Sequence, residues 1–202
     1  SDGREGKEAI GYMKAYVNMD VATLNVGSQP LANNAHVKYP DAFGMVSLND
    51  LKTYSVDYAI ANEVNAKNVD FKFYCFGASG SPRLYSMDNT GKDGEFSGST
   101  GKLSAIKVKN LTRFAILSNF DYENATVASI SSEILSSSIA QSLLDPIAVG
   151  NVIAFRTGGS SAAGGGRIGV MKVINITEPK ELVSNNATAR VMTVEIKFPK
   201  KK

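Results

Sequence analysis

The sequence contains no tryptophan, one cysteine, Cys75, and one histidine, His36. A single cysteine excludes an internal disulfide, and one cysteine with one histidine cannot supply the ligands of a structural zinc site. Any Ser-His-Asp triad or thiol–imidazole dyad would have to use His36, whose Asn, Ala, Lys and Pro neighbours predict an exposed loop. Cys75 falls on the apolar side of a predicted strand, which favours an inert core thiol over a reactive one.

The sequence also lacks long apolar runs and a strong charge of either sign. No segment approaches the roughly 20 apolar residues that cross a membrane as a helix. The net charge is +3, and part of the excess lies in Lys200, Lys201 and Lys202, which we expect to be solvated. No basic stripe interleaved with aromatic residues is present, so nucleic-acid binding is not favoured. What is present, 43% hydrophobic and 20% charged residues, is typical of a globular protein with a substantial core.

Alternation of apolar and polar residues predicts strands along much of the chain. In the clearest case, residues 190–198, Met192, Val194, Ile196 and Phe198 fall on one face. Residues 68–76 show the same period, and a glycine- and serine-rich loop connects them to a predicted return strand at 83–87. Further strands are predicted at 22–26, 44–48, 103–109, 151–156 and 168–176.

Helical spacing occurs in two places. Residues 54–64 place Val56, Ala59, Ile60 and Val64 on one stripe. Residues 132–144 place Leu135, Ile139 and Leu143 on another, with Pro146 beyond the end, although three consecutive serines are poor helix-interior residues. The sequence therefore predicts two helices.

A glycine-rich stretch lies between two of the predicted strands. Gly164-Gly165-Gly166-Arg167-Ile168-Gly169 formally matches the dinucleotide fingerprint G-x-G-x-x-G. That fingerprint requires the glycines to open a helix, whereas the residues that follow alternate as a strand. We therefore interpret 158–166 as a hairpin loop without a phosphate-binding role. Because it has little to pack, we expect it to be exposed, mobile and replaceable by an Asn-Gly turn.

The two predicted hairpins are alike at a fixed offset of 84 residues. Phe71 and Phe155, Gly80 and Gly164, Arg83 and Arg167, and Met87 and Met171 are identical pairs at this offset. The agreement predicts two related lobes, 1–100 and 101–202, as separate units or as one continuous pseudo-symmetric domain. We predict an α+β fold of antiparallel strands with helices packed on one side, and an all-β sandwich as the alternative.

Two strand motifs carry a family resemblance. "NVDFKFYCFG" with "PRLYSMD", and "VGNVIAFRT" with "GRIGVMKVINIT", resemble paired strands of uncharacterised exported proteins and lipoproteins of Bacteroidetes. The resemblance implies a protein held at the cell envelope, in the periplasm or on the surface of a Gram-negative bacterium, with a lipid anchor expected upstream of Ser1. No activity is assigned to that family, so no site residue is carried over, and the glycine-rich loop here is longer than the family's tight turn.

Candidate chemistry is sparse. The segment "DNTGKDGE", 88–95, superficially resembles a calcium loop, but Lys92 occupies a ligand position, so we predict a surface turn without metal. The candidate ligand-binding residues are Tyr54, Tyr58, Tyr74 and Tyr85, whose rings could stack on a sugar. No catalytic constellation or cofactor motif is recognisable.

These features predict a non-catalytic envelope protein that binds a glycan or another envelope protein, or serves as a scaffold, without nucleic acid or a transmembrane segment. The alternative is a hydrolase of surface polysaccharide that uses clustered carboxylates. Its candidate residues are Asp70, Asp88, Asp121 and Glu123.

Overall fold

Ten antiparallel strands in the described part of the chain form two five-stranded sheets that pack face to face. The computed structural model describes residues 18–178, 181–182 and 186–201, so the expectations for Ser1 and Lys202 lie outside the described residues. The order in sheet A is β1-β10-β9-β8-β6, and the order in sheet B is β3-β2-β4-β5-β7. The strands are β1 (Met19–Gly27), β2 (Met45–Ser47), β3 (Lys52–Tyr54), β4 (Phe71–Phe76), β5 (Ser81–Ser86), β6 (Arg113–Leu117), β7 (Leu143–Leu144), β8 (Val152–Arg156), β9 (Ile168–Ile176) and β10 (Val191–Pro199).

The main core lies between the two sheets. Alternate residues along the strands of both sheets face inward and build it, among them Phe71 and Phe73 of β4, Phe155 of β8 and Phe198 of β10. Phe155 and Phe198 meet edge to face, with 5.2 Å between ring centroids. The predicted fold class is confirmed, since antiparallel strands in two sheets predominate and helices are few.

Short helices cover both outer faces of the sandwich, whereas the sequence predicted them on one side. Helices α1 (Val56–Ala61) and α2 (Glu63–Lys67) pack on sheet B, and α3 (Val127–Glu133) packs on sheet A. Asn62 divides α1 from α2: its backbone is extended, and its side chain caps α2 by accepting from the Asn65 amide. The helix predicted at 54–64 is therefore present as two short pieces.

Two predicted elements are wrong. In place of a helix at 132–144, α3 begins after Thr126, which forms a capping box with Ser129, and ends at Glu133. The serine run then forms a 3-10 turn, and Leu135 is 68% exposed. In place of a strand at 103–109, Leu103–Ala105 is a 3-10 turn. Its buried side chains, Leu103 and Ile106, are three residues apart, which matches the three-residue repeat of that turn.

The prediction of an exposed, unpacked glycine-rich loop is also wrong. Ala163 is 2% exposed and belongs to the main core. The Ser161 hydroxyl donates at 2.6 Å to the buried carboxylate of Asp70, which directly precedes β4 of sheet B, and the Ala162 amide donates to the Lys67 carbonyl at 2.8 Å. A Cβ on Gly158 would lie 2.5 Å from the Leu111 nitrogen, so this backbone contact needs a glycine. The loop ties the β8–β9 hairpin of sheet A to sheet B.

The two hairpins related by the offset of 84 do not share a strand register. Phe71 pairs with Ser86, whereas Phe155 pairs with Gly169 rather than with the equivalent Val170. A one-residue slip turns each side chain of the second strand to the opposite face. Each sheet also mixes strands from 1–100 and 101–202, because β1 joins sheet A and β7 joins sheet B. The division into two lobes stays a prediction.

Candidate functional site: an open sheet edge

Strand β1 forms one edge of sheet A, and along it some backbone groups have no partner among the described residues. The Asn18 carbonyl faces β10 and accepts from the Lys200 amide, whereas the Gly27 amide faces away and donates to the Phe43 carbonyl. Because backbone direction alternates along a strand, the amides and carbonyls of Val21, Thr23 and Asn25 also point away from β10. No backbone hydrogen bond from these three residues is found within the described chain, and we call this set of groups the β1 edge.

The β1 edge carries few of the features that normally prevent edge-to-edge pairing. Strand β1 is nine residues long, contains no proline or lysine, and has one charged residue, Asp20. Its pairing with β10 runs through nine consecutive residues without a bulge. Long, regular edges of this kind accept an additional strand unless charges, bulges or covering segments prevent it. Val21, on the outer face, is 43% exposed.

The opposite edge of sheet A is partly occupied. Phe114 of β6 exchanges two backbone hydrogen bonds with Gln141, at 2.8 and 3.1 Å. By the same alternation, Ile116 directs its amide and carbonyl outward, beside a cleft that α3 and the following 3-10 turn also line. The free part of this edge is therefore shorter than the β1 edge.

The four candidate tyrosines form two separate pairs rather than one platform. Tyr74 and Tyr85 are 3% and 4% exposed and contact each other edge to face beneath the outer face of sheet B. Tyr54 and Tyr58 stack on each other, with 3.9 Å between ring centroids. The hydroxyl of Tyr54 donates to Asp50 at 2.6 Å, and the hydroxyl of Tyr58 accepts from Asn68. Their faces and hydroxyls are thus largely engaged within the protein.

The four candidate carboxylates lie in separate environments. Asp70 is buried between Ser161 and the Leu48 amide, and Asp88 receives two hydrogen bonds from Arg113, each 2.8 Å long. Asp121 accepts from Asn124, and Glu123 pairs with Lys172 at 2.5 Å. These hydrogen bonds and ion pairs favour the ionised form of each carboxyl group, whereas the burial of Asp70 opposes its ionisation. The four carboxylates therefore have separate partners and do not form one acid–base cluster.

Burial raises the pKa of the Asp70 carboxyl to about 6, although Ser161 and the Leu48 amide stabilise its charge. A raised pKa favours the protonated folded protein, so this contribution to stability is complete below the ordinary value near 3.8 and is lost as the pH rises through 6. We expect the unfolding free energy to fall by roughly 2 kcal/mol between pH 4 and 7 from this group. Urea unfolding of the wild type and of Asp70→Asn measures it.

The difference between those two proteins isolates Asp70, because the other carboxylates titrate in both. The pKa values of Asp88, Asp121 and Glu123 are lowered, so their own contribution to stability changes at lower pH and with the opposite sign. The unfolding free energy of Asp70→Asn should rise relative to the wild type from pH 4 to pH 7. A constant difference between the two proteins would contradict the raised pKa of Asp70.

The loop that superficially suggested calcium holds an ammonium group instead. The Lys72 Nζ lies 2.9 Å from Asp93 Oδ1 and donates to the Asn89 and Ser86 carbonyls at 2.9 and 3.3 Å. Lys72 is fully buried, and Lys109 also pairs with Asp93 at 3.0 Å. The oxygen atoms of this loop are thus used to neutralise a lysine of β4. Among the described residues, no group of three or more His, Cys, Asp or Glu side chains is arranged to hold a metal ion.

The structure does not bring Cys75 and His36 together. Cys75 is buried in the main core, and burial raises the pKa of its thiol to about 12, which suppresses thiolate formation. The side chain of Gln29 donates to the backbone carbonyl of Cys75 and accepts from the backbone amide of Cys75. The Nδ1 atom of His36 accepts a hydrogen bond from the Lys38 amide.

Within the described residues, no helix has both the length and the apolar character needed to span a membrane.

Comparison with known proteins identifies a structural neighbour and no sequence relative. No protein-family profile and no curated protein sequence matches the chain. Among solved structures, the chain is similar to a DUF4466 family protein from Parabacteroides merdae, with a TM-score of 0.53 and 14% sequence identity. The match covers 90% of this chain and 54% of that protein, so the chain spans about half the length of the neighbour. At this identity the comparison shows a shared fold alone. The neighbour comes from a Bacteroidetes bacterium.

Proposed function

We propose that the chain is a non-catalytic binding or scaffold module of the cell envelope that takes up an extended segment of a partner protein along the β1 edge. The β1 edge is the observation that carries the proposal. Val21, Thr23 and Asn25 place in a row amides and carbonyls that have no backbone partner in the described part of the chain, at the spacing of about 7 Å between alternate strand residues. An extended polypeptide is the ligand whose donors and acceptors repeat at that spacing.

A protein ligand fits this geometry better than a glycan does. A sugar-binding platform needs an accessible aromatic face, and the rings of Tyr74 and Tyr85 are buried. Tyr54 and Tyr58 cover one face of each other's rings, and their hydroxyls are bonded within the chain. The alternative, a carboxylate-dependent hydrolase, has no supporting geometry in Asp70, Asp88, Asp121 and Glu123.

The location at the envelope is part of the proposal. It is supported by the resemblance of two strand motifs to those of exported Bacteroidetes proteins and by a fold shared with a protein from the same phylum. The coding sequence upstream of Ser1 tests it. An export signal that ends in a lipid-modifiable cysteine supports an anchored protein, and the absence of any export signal there would overturn the location.

Thr23→Pro is the variant that tests the β1 edge. The Thr23 amide points away from β10, so proline removes an edge donor without removing a hydrogen bond of sheet A. Peptides selected from a displayed library of random decapeptides should bind the wild type and bind Thr23→Pro at least about tenfold more weakly, because a donor is lost and the ring blocks close approach. Fluorescence anisotropy of a labelled selected peptide measures this.

Thr23→Val is the matched control, since it retains the amide and should bind within about twofold of the wild type. Hydrogen exchange supplies an internal control along one strand. Peptide binding should slow exchange at Val21, Thr23 and Asn25, whereas the amides of Ala22 and Leu24 are already protected by β10. Equal binding by Thr23→Pro, or recognition of glycans on an array without peptide binding, would overturn the proposal.

A further inference from the structure

A basic cleft lies at the end of the β8–β9 hairpin, beside the C-terminal end of β10. Its volume is about 670 Å³, and three of the ten residues that line it are cationic, with no acidic residue among those ten. The lining is formed by Ile130, Ser131, Gly164, Gly165, Gly166, Arg167, Ile168, Pro199, Lys200 and Lys201. The cleft thus joins α3, the glycine-rich loop and the end of β10, which are far apart in sequence.

Arg167 is held in place before any ligand arrives. Its guanidinium lies over the Phe198 ring, 4.0 Å from the ring centroid, and donates to the Ala163 carbonyl at 2.7 Å and to the Pro199 carbonyl. An arginine side chain has five N–H donors, so these two bonds leave three for a ligand. A fixed arginine loses little conformational entropy when it binds an anion.

The lysines converge on the same loop. A Cβ on Gly164 would lie 3.9 Å from Lys201 Nζ and 3.4 Å from Arg167 Cδ, so both cationic side chains meet above this glycine. Lys200 is half exposed, and its nearest acidic partner, Asp20, is 3.8 Å away. The Gly165 amide has no hydrogen-bond partner among the described residues. Three positive charges and a free amide therefore face one cleft with a single nearby carboxylate.

We infer that this cleft binds a phosphate group carried by a larger molecule. A phosphate oxyanion matches the three cations and the free amide. The cleft volume falls in the usual range for a small-molecule ligand, far above that of a bare phosphate ion. Ile130, Ile168 and Pro199 form the apolar wall for the rest of the molecule. This inference needs no helix after the glycines and is independent of the β1 edge.

Calorimetric titration of the full chain at low salt with glucose 6-phosphate, glucose and inorganic phosphate tests the inference. We expect saturable binding of glucose 6-phosphate, weaker binding of inorganic phosphate and none of glucose. Lys200→Gln/Lys201→Gln should weaken glucose 6-phosphate binding about tenfold, because two cation–phosphate contacts are lost. Arg167 is left intact, since its stacking on Phe198 also supports the fold.

The matched control is Lys102→Gln/Lys107→Gln, which removes the same charge from two exposed lysines outside the cleft lining. It should change binding by less than about twofold. An equal loss in both double variants would show a general effect of net charge and overturn the inference. Binding of inorganic phosphate alone, or of none of the three probes, would overturn it as well.

Discussion

Replacing Gly158–Gly166 with a two-residue Asn-Gly turn is expected to destabilise the protein by several kcal/mol and to leave little folded protein at 37 °C. The replacement removes Ala163 from the main core and the Ser161 hydroxyl from the buried Asp70 carboxylate. A buried polar group left without its partner costs about 1–3 kcal/mol, more when it is charged, and the vacated core adds to that cost. The saving in loop-closure entropy, of order 1 kcal/mol, is smaller. Urea unfolding followed by circular dichroism measures the outcome.

Two single substitutions within the loop distinguish packing from chain length. Gly158→Ala should be strongly destabilising, because a Cβ there meets the Leu111 backbone at 2.5 Å. Gly159→Ala should change the unfolding free energy by less than about 0.5 kcal/mol, since nothing lies within 4 Å of a Cβ at that position. A shortened loop with wild-type stability, or equal effects of the two alanines, would show that the loop does not tie the sheets together.

Lys72→Met is expected to lower the unfolding free energy by about 3 kcal/mol. Removal of one member of a buried ion pair leaves its partner charged and desolvated, at a typical cost of 3–5 kcal/mol. Asp93 would retain Lys109 at 3.0 Å, which places the expected loss at the lower end of that range. The Asn89 carbonyl also loses the Lys72 donor, and the Ser86 carbonyl loses one of its two donors and retains the Asn89 amide. Chemical denaturation at pH 7 measures the loss.

Lys67→Met is the control for the buried lysine. Lys67 pairs with Glu63 at 2.6 Å on the surface of α2, where both side chains are about half exposed. An exposed pair of this kind contributes about 0.5 kcal/mol. Adding Asp93→Asn to Lys72→Met should restore part of the lost stability, because no uncompensated buried charge remains. Similar losses from Lys72→Met and Lys67→Met would contradict a buried ion pair.

The sequence by itself determined most of the strands and the class of fold. Alternation with period two depends on local geometry, because successive side chains of a strand point to opposite faces. The segments at 168–176 and 190–198 are therefore found almost as predicted, as β9 (Ile168–Ile176) and β10 (Val191–Pro199). The same local argument correctly predicted a strand rather than a helix after Gly164, Gly165 and Gly166.

Only the tertiary structure decided which strand edges are open and which residues meet across the sandwich. Strand β1 was predicted, but its edge position depends on its pairing with β10, more than 160 residues away, and no local pattern encodes that partner.

The glycine-rich loop was predicted to be loose because its own residues are small. Its packing depends on Asp70 and Leu111, which lie in connecting segments distant in sequence. Tyrosines such as Tyr74 and Tyr85 are common in binding surfaces, which is why the sequence suggested that role. They are buried because other segments cover the outer face of sheet B. Local periodicity fixes how a segment folds, whereas contacts distant in sequence fix what remains accessible to a partner.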